Sequence, residues 1–120
     1  MVLIIGGAYQ GKLVYAKSKF RLSDKDVFTC SDTEIDFSKP CIDHLEEFTY
    51  GHPEAVAYFQ AHREEWQNSI LICRDIFCGV VPLGADLRAW RQTTGRLCQY
   101  LAGEATQVSR IFCGLEQRLK

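Results

Sequence analysis

The stretch Ile4–Leu13, IIGGAYQGKL, decides the fold because it joins an apolar run to a glycine-rich segment and a lysine. It is one residue short of the phosphate-binding loop consensus, in which glycine, four residues, glycine and lysine precede serine or threonine. Gly6, Gly11 and Lys12 stand at their consensus positions, whereas Leu13 occupies the hydroxyl position. The pattern therefore predicts a strand, a loop and a helix, in that order.

A loop of this composition binds phosphate mainly through its backbone N–H groups, aided by the dipole of the following helix. Lys12 adds a point charge for the β- and γ-phosphates. Leucine cannot supply the usual hydroxyl ligand to Mg²⁺, so the metal would need a carboxylate elsewhere. From the motif alone, a glycine-rich turn without a ligand remains the alternative. The predicted nucleotide-binding residues are Gly6, Gly7, Ala8, Tyr9, Gln10, Gly11, Lys12 and Leu13.

The composition limits the class of protein. A chain of 120 residues predicts one domain, and 47% apolar with 24% charged residues is typical of soluble globular proteins. A net charge of −1 gives no electrostatic basis for binding nucleic acid or an anionic membrane. No apolar run approaches the roughly 20 residues of a membrane span, and MVLIIGG lacks the basic flank of a secretory signal. We expect a cytoplasmic protein.

Cysteine usage agrees with that compartment. No CxxC pair exists, so the strong zinc signatures are missing. Most cysteines lie in apolar runs, which predicts reduced and mostly buried thiols. A site built from Cys73 or Cys78 and a histidine is the alternative. The six cysteines are Cys30, Cys41, Cys73, Cys78, Cys98 and Cys113.

Strand-like and helix-like segments alternate along the chain, which predicts an α/β fold with a mostly parallel sheet. The loop would then lie at the carboxyl end of the first strand, where open α/β sheets bind ligands. The predicted strands are 2–5, a short one near Val27, 40–43, 69–73 and 107–114. One predicted helix follows the loop, and two others cover 53–66 and 86–105. Residues 115–120 are predicted to be a tail.

Two of these helices have apolar faces. Pro53 occupies a helix-start position, and Ala55, Phe59, His62 and Trp66 fall on one face of that helix. The long helix carries a predicted buried stripe of Leu87, Trp90, Leu97 and Leu101.

Four segments resemble one family, the bifunctional adenosylcobinamide kinase / adenosylcobinamide-phosphate guanylyltransferases of cobalamin biosynthesis. LIIGGAYQGK is similar to the family's opening strand and TGGARSGKS, and CRDIFCGVVP (73–82) to SNEVGxGIVP. LRAWRQTTGRLCQYLA (87–102) is similar to xRxFRDxxGRxNQxLA, and VSRIFCGLEQRLK (108–120) to VYLVVAGLPxxLK. The resemblance implies a P-loop NTPase-like three-layer sandwich with a mostly parallel sheet.

The resemblance also implies the kinase activity of this family, in which GTP or ATP phosphorylates the aminopropanol hydroxyl of adenosylcobinamide. Lys12 would stabilise charge on the transferred phosphate. Asp43, in PCIDHLEEF, matches the aspartate of the family's LxDCLT strand and would hold Mg²⁺. Asp75 stands where the family has glutamate. The implied catalytic residues are therefore Lys12, Asp43 and Asp75, with Asp43 as the metal ligand.

Departures from the family concentrate in the middle of the chain. Family members are about half as long again, and their HRxxRP segment carries the histidine that becomes guanylylated. AHREEW (61–66) echoes that segment but follows the candidate aspartate, so His62 is more simply a helix-face histidine. Guanylyl transfer is therefore predicted to be lost. Phe77, Gln92 and Cys98 replace a glycine, an aspartate and an asparagine of the family.

An arginine-rich face is retained on the long helix. The positions Arg88, Arg91, Gly95 and Gln99 fall on one helix face, with Arg96 beside them. They either contact phosphates or a neighbouring subunit, or form a solvated basic face. The family's enzymes are trimers, so the resemblance implies a homo-oligomer.

Three functions stay open at this point. The chain is a shortened kinase, or a non-catalytic descendant that binds a nucleotide or a corrinoid, or an unrelated protein that has kept a P-loop scaffold. Leu13 and the missing segment favour the second.

Overall fold

A computed structural model describes residues 1–76 and 84–120, and its centre is a six-stranded sheet with helices on both faces. The strands are β1 Val2–Gly6, β2 Val27–Thr29, β3 Cys41–Asp43, β4 Ile70–Arg74, β5 Gln107–Phe112 and β6 Leu115–Arg118. The helices are α1 Lys12–Phe20, α2 Leu45–Thr49, α3 Ala55–Ala61, α4 Arg63–Trp66 and α5 Ala85–Glu104.

The sheet has the order β2-β3-β4-β1-β5-β6. β1 lies between β4 and β5 and runs parallel to both, with Val2 opposite Ile70 on one side and Gln107 on the other. β2, β3 and β4 are also parallel, and only β6 runs antiparallel to its neighbour. The predicted α/β fold with a mostly parallel sheet is confirmed.

Successive residues of β1 point to opposite faces of the sheet, and both faces are covered. Ile4 packs with Ile72, Ile111 and Ala16 of α1. Leu3 belongs to a larger apolar cluster on the opposite face, which α2 to α5 cover. This burial on both sides explains why β1 and β4 read as continuous apolar runs. The helix–sheet–helix arrangement is compatible with the predicted three-layer sandwich.

Three segments differ from the predictions. A short helix, α2, directly follows β3 where none was expected. The predicted helix over 53–66 begins at Ala55 and divides into α3 and α4 at His62, and the Trp66 indole N–H donates to the Phe59 carbonyl across the break at 2.7 Å. Residues 115–118, predicted as tail, form β6.

The predicted stripe of α5 is partly right. Leu97 and Leu101 are fully buried, but Leu87 is 43% exposed. Thr94, which is not part of the predicted stripe, is also buried. Thr94 can be buried because its hydroxyl shares a 2.6 Å hydrogen bond with that of Thr49.

Cysteine burial follows the prediction at Cys30, Cys41 and Cys73, which are buried and free. Burial raises the pKa of the Cys30 and Cys41 thiols, so both are poor nucleophiles. Cys113 is the exception, because it lies exposed in the turn between β5 and β6. Cys78 lies outside the described residues. In the two described ranges, no helix is long and apolar enough to cross a membrane.

Candidate functional site

The loop between β1 and α1 depends on two glycines. A Cβ at Gly6 would lie 2.6 Å from the Ile111 carbonyl oxygen, so β5 approaches too closely for a side chain. Gly11 has φ +90°, a left-handed conformation that side chains rarely adopt. The strand, loop and helix that the motif predicts are therefore present, and the glycines fix the path of the chain.

Neighbouring backbone holds the loop in place. The Gly114 N–H donates to the Gln10 carbonyl at 2.9 Å, and the Cys113 N–H donates to Gln10 Oε1 at 2.6 Å. On the other side, the Asp75 N–H donates to the Gly6 carbonyl at 2.7 Å. The β5–β6 turn and the residue after β4 thus fix the loop from two directions.

Lys12 folds back over the loop it follows. Its Nζ donates to the Gly7 carbonyl at 2.7 Å, and the side chain is partly buried. Burial lowers the pKa of Lys12, and the nearby carboxylates of Glu46 and Asp43 offset part of that effect. An incompletely solvated ammonium is well placed to exchange a carbonyl partner for a phosphate oxygen.

A shallow pocket of about 200 Å³ lies between the loop and the carboxyl end of β3. Lys12 and Asp43, far apart in sequence, both line it, because β3 is separated from β1 only by β4. The structure thus brings together two of the three implied catalytic residues at the N-terminus of α1, beside the predicted loop residues Tyr9, Gly11 and Leu13. The described lining is Tyr9, Gly11, Lys12, Leu13, Val14, Asp43 and His44.

Asp43 is the last residue of β3 and is only 4% exposed. One carboxylate oxygen accepts the His44 backbone N–H at 2.8 Å, and the other lies 3.6 Å from His44 Nε2. Burial raises the pKa of Asp43, although the adjacent His44 counteracts this in part. A cation bound to the Asp43 carboxylate would stabilise its ionised form, which burial has deprived of water.

Replacing this carboxylate by an amide, Asp43→Asn, is expected to stabilise the free protein at neutral pH. A raised pKa means that the ionised form destabilises the folded state above the folded-state pKa, and that stability is regained as pH falls through it. We therefore expect a gain in the free energy of unfolding at pH 7 that vanishes well below the unfolded-state pKa near 3.8. Urea unfolding at several pH values measures it, and a loss of stability at pH 7 would contradict it.

Asp75 directly follows β4, beside the start of the loop. Its proposed catalytic role stays a prediction.

Two functional candidates escaped the sequence reasoning. Glu46, in the first turn of α2, is 1% exposed, and its Oε2 accepts from His44 Nδ1 at 2.8 Å. Its Oε1 accepts the Arg74 backbone N–H at 2.8 Å. His44 itself has φ +59°, uncommon for a residue with a side chain. The signal in the sequence was the run DHLEE directly after a buried strand.

This arrangement tunes His44, whose side chain is 48% exposed at the pocket. Burial alone would lower the pKa of His44, but the hydrogen bond to Glu46 and the negative charge of Asp43 raise it overall. The imidazole is thereby oriented by one buried carboxylate and lies against a second.

Other candidates are not among the residues that line this pocket. His62 pairs with Glu65 and packs against the rings of Phe37 and Tyr58. On α5, Arg88 and Gln99 are exposed, whereas Arg91 and Gly95 are partly buried. The substitution at Phe77 lies outside the described residues.

No protein-family model matches the chain, and no curated protein matches it. In residues 1–76 and 84–120, no group of three or more histidine, cysteine, aspartate or glutamate side chains is arranged to hold a metal ion.

Proposed function

We propose that the chain binds a nucleoside triphosphate with its phosphates in the pocket at the N-terminus of α1, as a P-loop NTPase-like protein. The observation that carries this proposal is that Lys12 and Asp43 line one pocket beside the glycine-rich loop. A lysine and a carboxylate at this position supply the two charges that a magnesium–polyphosphate requires.

The phosphate side of the site rests on backbone geometry. α1 begins at Lys12, so its first N–H groups and its dipole face the pocket. Lys12 already reaches across the loop to the Gly7 carbonyl, within range of an anion held there. The α1 side chains Leu13 and Val14 that line the pocket have no polar atoms, so on this side the backbone would be the phosphate ligand besides Lys12.

Asp43 is the carboxylate that would hold Mg²⁺. One protein carboxylate is sufficient for Mg²⁺, because this ion keeps several waters and takes its other ligands from the phosphates. When bound, it would neutralise charge on the transferred phosphoryl group.

The acceptor in this proposal comes from the family resemblance. It is adenosylcobinamide, phosphorylated by GTP or ATP in a cytoplasmic kinase reaction, with Lys12 stabilising the transferred phosphate and Asp43 or Asp75 orienting the hydroxyl. Guanylyl transfer is absent from the proposal, because His62 packs against the rings of Phe37 and Tyr58 and does not line the pocket beside the loop.

A second candidate is a non-catalytic protein that binds a nucleotide or a corrinoid and acts as an assembly or regulatory partner. Leu13 favours it. This side chain packs with the apolar cluster around Ile4 and Ile72 and lines the pocket where a hydroxyl would meet the metal.

Calorimetric titration of GTP and ATP, with and without Mg²⁺, tests the proposal. Magnesium-dependent binding supports it, and a phosphorylation assay with adenosylcobinamide then separates the kinase from the non-catalytic binder. Absence of binding by either nucleotide at millimolar concentration would overturn it.

A restored hydroxyl provides a more specific test. The measured quantity is the nucleotide affinity with Mg²⁺ divided by the affinity without it. Leu13→Ser is expected to increase this ratio by about tenfold, which corresponds to about 1.4 kcal/mol. Leu13→Ala is the matched control, since it loses the same apolar packing but gains no hydroxyl. Equal ratios in the two variants would show that no metal is held beside position 13.

A further inference from the structure

Among the strands of the described residues, β6 lies at one edge of the sheet and β2 at the other, and all four residues of β6 are exposed. It joins β5 through a tight turn in which Cys113 and Gly114 have φ of 51° and 75°. Positive φ at both central residues is the hairpin geometry that matches the twist of antiparallel strands. An exposed edge of this kind is a template for pairing with another strand.

The hydrogen-bonding parity of this edge follows from β5. The Leu119 N–H donates to the Val108 carbonyl at 2.8 Å, so this N–H faces β5, and the Val108 N–H donates to the Lys120 carbonyl at 3.3 Å where the pairing ends. Because these groups alternate along a strand, those of Leu115 and Gln117 also face β5. The N–H and C=O groups of Glu116 and Arg118 therefore point to the open edge.

The sequence of this edge, Leu115-Glu116-Gln117-Arg118-Leu119, is self-complementary. We propose that β6 pairs antiparallel with β6 of a second copy of this chain, about a two-fold axis at Gln117. In this register Glu116 lies opposite the partner's Arg118, and Leu115 lies opposite the partner's Leu119. Each of these pairs occurs twice, because the axis repeats it.

Parity and charge select this register over its neighbours. The outward backbone groups of one strand must meet the outward groups of the other. The alternative registers are therefore those in which one strand is shifted along the other by two residues. The two nearest place Glu116 opposite Glu116 or Arg118 opposite Arg118 of the other copy. Directly opposed like charges destabilise a strand pair, whereas opposite charges stabilise it.

Exposed apolar side chains support the same contact. Leu115 is 73% exposed, Leu119 is 54% exposed and Phe112, paired with Leu115 in the hairpin, is 58% exposed. Alternation places Leu115, Leu119 and Phe112 on one face of the sheet, next to the edge. Pairing would cover Leu115 and Leu119 with their counterparts.

The pairing goes beyond the proposed function and makes a distinct statement about assembly. A self-complementary strand pair closes with two copies and uses up the edge, so it yields a dimer whose two sheets are continuous. A three-fold assembly, which the family resemblance implies, cannot be built from this contact.

Analytical ultracentrifugation over a wide concentration range tests the pairing. A species at twice the 13.7 kDa of one chain is expected, in equilibrium with the monomer. Glu116→Arg or Arg118→Glu alone opposes like charges in both pairs and is expected to raise the dissociation constant about tenfold. The double variant restores opposite charges and is expected to return it close to the original value.

Several outcomes would overturn the pairing: a monomer or a trimer throughout, single reversals without effect, or a double variant no better than the singles. Position-specific cross-linking gives a second readout. Gln117→Cys in a Cys113→Ser background is expected to give a disulfide-linked dimer with diamide, because opposed residues of a non-hydrogen-bonded pair lie about 4.5 Å apart at Cα. Gln99→Cys, exposed on α5, is the matched control, and equal cross-linking of both would contradict the register.

Discussion

Replacement of Lys12 by alanine is expected to lower the affinity for magnesium–GTP or magnesium–ATP by about 10- to 100-fold. A hydrogen bond to a charged group contributes about 1.5–3 kcal/mol, and the loss of one such bond to phosphate gives this range. Within the described residues, Lys12 Nζ donates to the Gly7 carbonyl, a partner that it would exchange for phosphate, so the substitution removes one neutral hydrogen bond from the free protein. Calorimetric titration of Lys12→Ala measures the change.

Lys19→Ala is the matched control, because Lys19 belongs to the same helix and is exposed. The nucleotide affinity of this variant is expected to stay within about twofold of that of the original protein. Lys19 lies two helical turns from Lys12, and an exposed charge about 10 Å away is largely screened by salt. Equal losses in both variants would mean that the nucleotide responds to overall charge and that Lys12 makes no specific contact.

Glu46→Ala is expected to have the largest effect on stability, a loss of about 3 kcal/mol in the free energy of unfolding. The glutamate is buried and bonds both His44 Nδ1 and the Arg74 backbone N–H at 2.8 Å. Truncation leaves the Arg74 N–H and the half-exposed His44 ring without this partner and opens a small cavity. A lost bond to a charged partner and a cavity each cost on the order of 1–3 kcal/mol. Urea unfolding monitored by circular dichroism gives the value.

The destabilisation carries a pH signature. Because the folded-state pKa of His44 is raised, its protonation contributes stability that is fully present below the unfolded pKa of about 6.5 and is lost as pH rises through the folded value. Glu46→Ala removes the hydrogen bond that raises the pKa, so the deficit is expected to be larger at pH 5.5 than at pH 8.5. NMR titration of the His44 ring should show its pKa falling in the variant.

Two comparisons make the result specific. Glu47→Ala removes the exposed neighbouring carboxylate and is expected to change stability by less than about 0.5 kcal/mol. Glu46→Gln keeps the side-chain shape and an oxygen for the Arg74 N–H, so its loss should be intermediate. Similar stability of Glu46→Ala and Glu47→Ala would mean that the buried contacts contribute nothing net.

The elements that the sequence predicted well are those with their own periodicity or turn chemistry. The apolar runs of β1 and β4 are buried on both faces, and continuous hydrophobicity is the signal for that environment. α5 was also predicted nearly to its ends, because a helix of 20 residues carries several repeats of its pattern.

The elements that escaped are short or depend on distant partners. α2 has five residues, too few for a helical repeat. Its buried Glu46 is stabilised by a hydrogen bond from the backbone of β4, which no local sequence pattern reveals. β6 is exposed on all four residues, so it lacks the apolar alternation of a strand and exists because it pairs with β5.

Prediction of the candidate site shows the same division. The loop and Lys12 were recognisable from spacing, and the family resemblance implied Asp43. Of these predicted residues, Tyr9, Gly11, Lys12, Leu13 and Asp43 line the pocket. His44 and Glu46 were not recognisable, because their importance comes from mutual geometry and burial.

The central place of β1 has a consequence for how the chain folds. Its neighbours are Ile70–Arg74 and Gln107–Phe112, so β1 is synthesised well before the second of the two strands that pair with its edges. Contacts between such distant segments slow folding, because a large loop must close before they form. Until β5 pairs, VLII keeps one unpaired edge, and an apolar strand with an unpaired edge is prone to aggregation or chaperone binding. A chain halted before Gln107 would stay in that state.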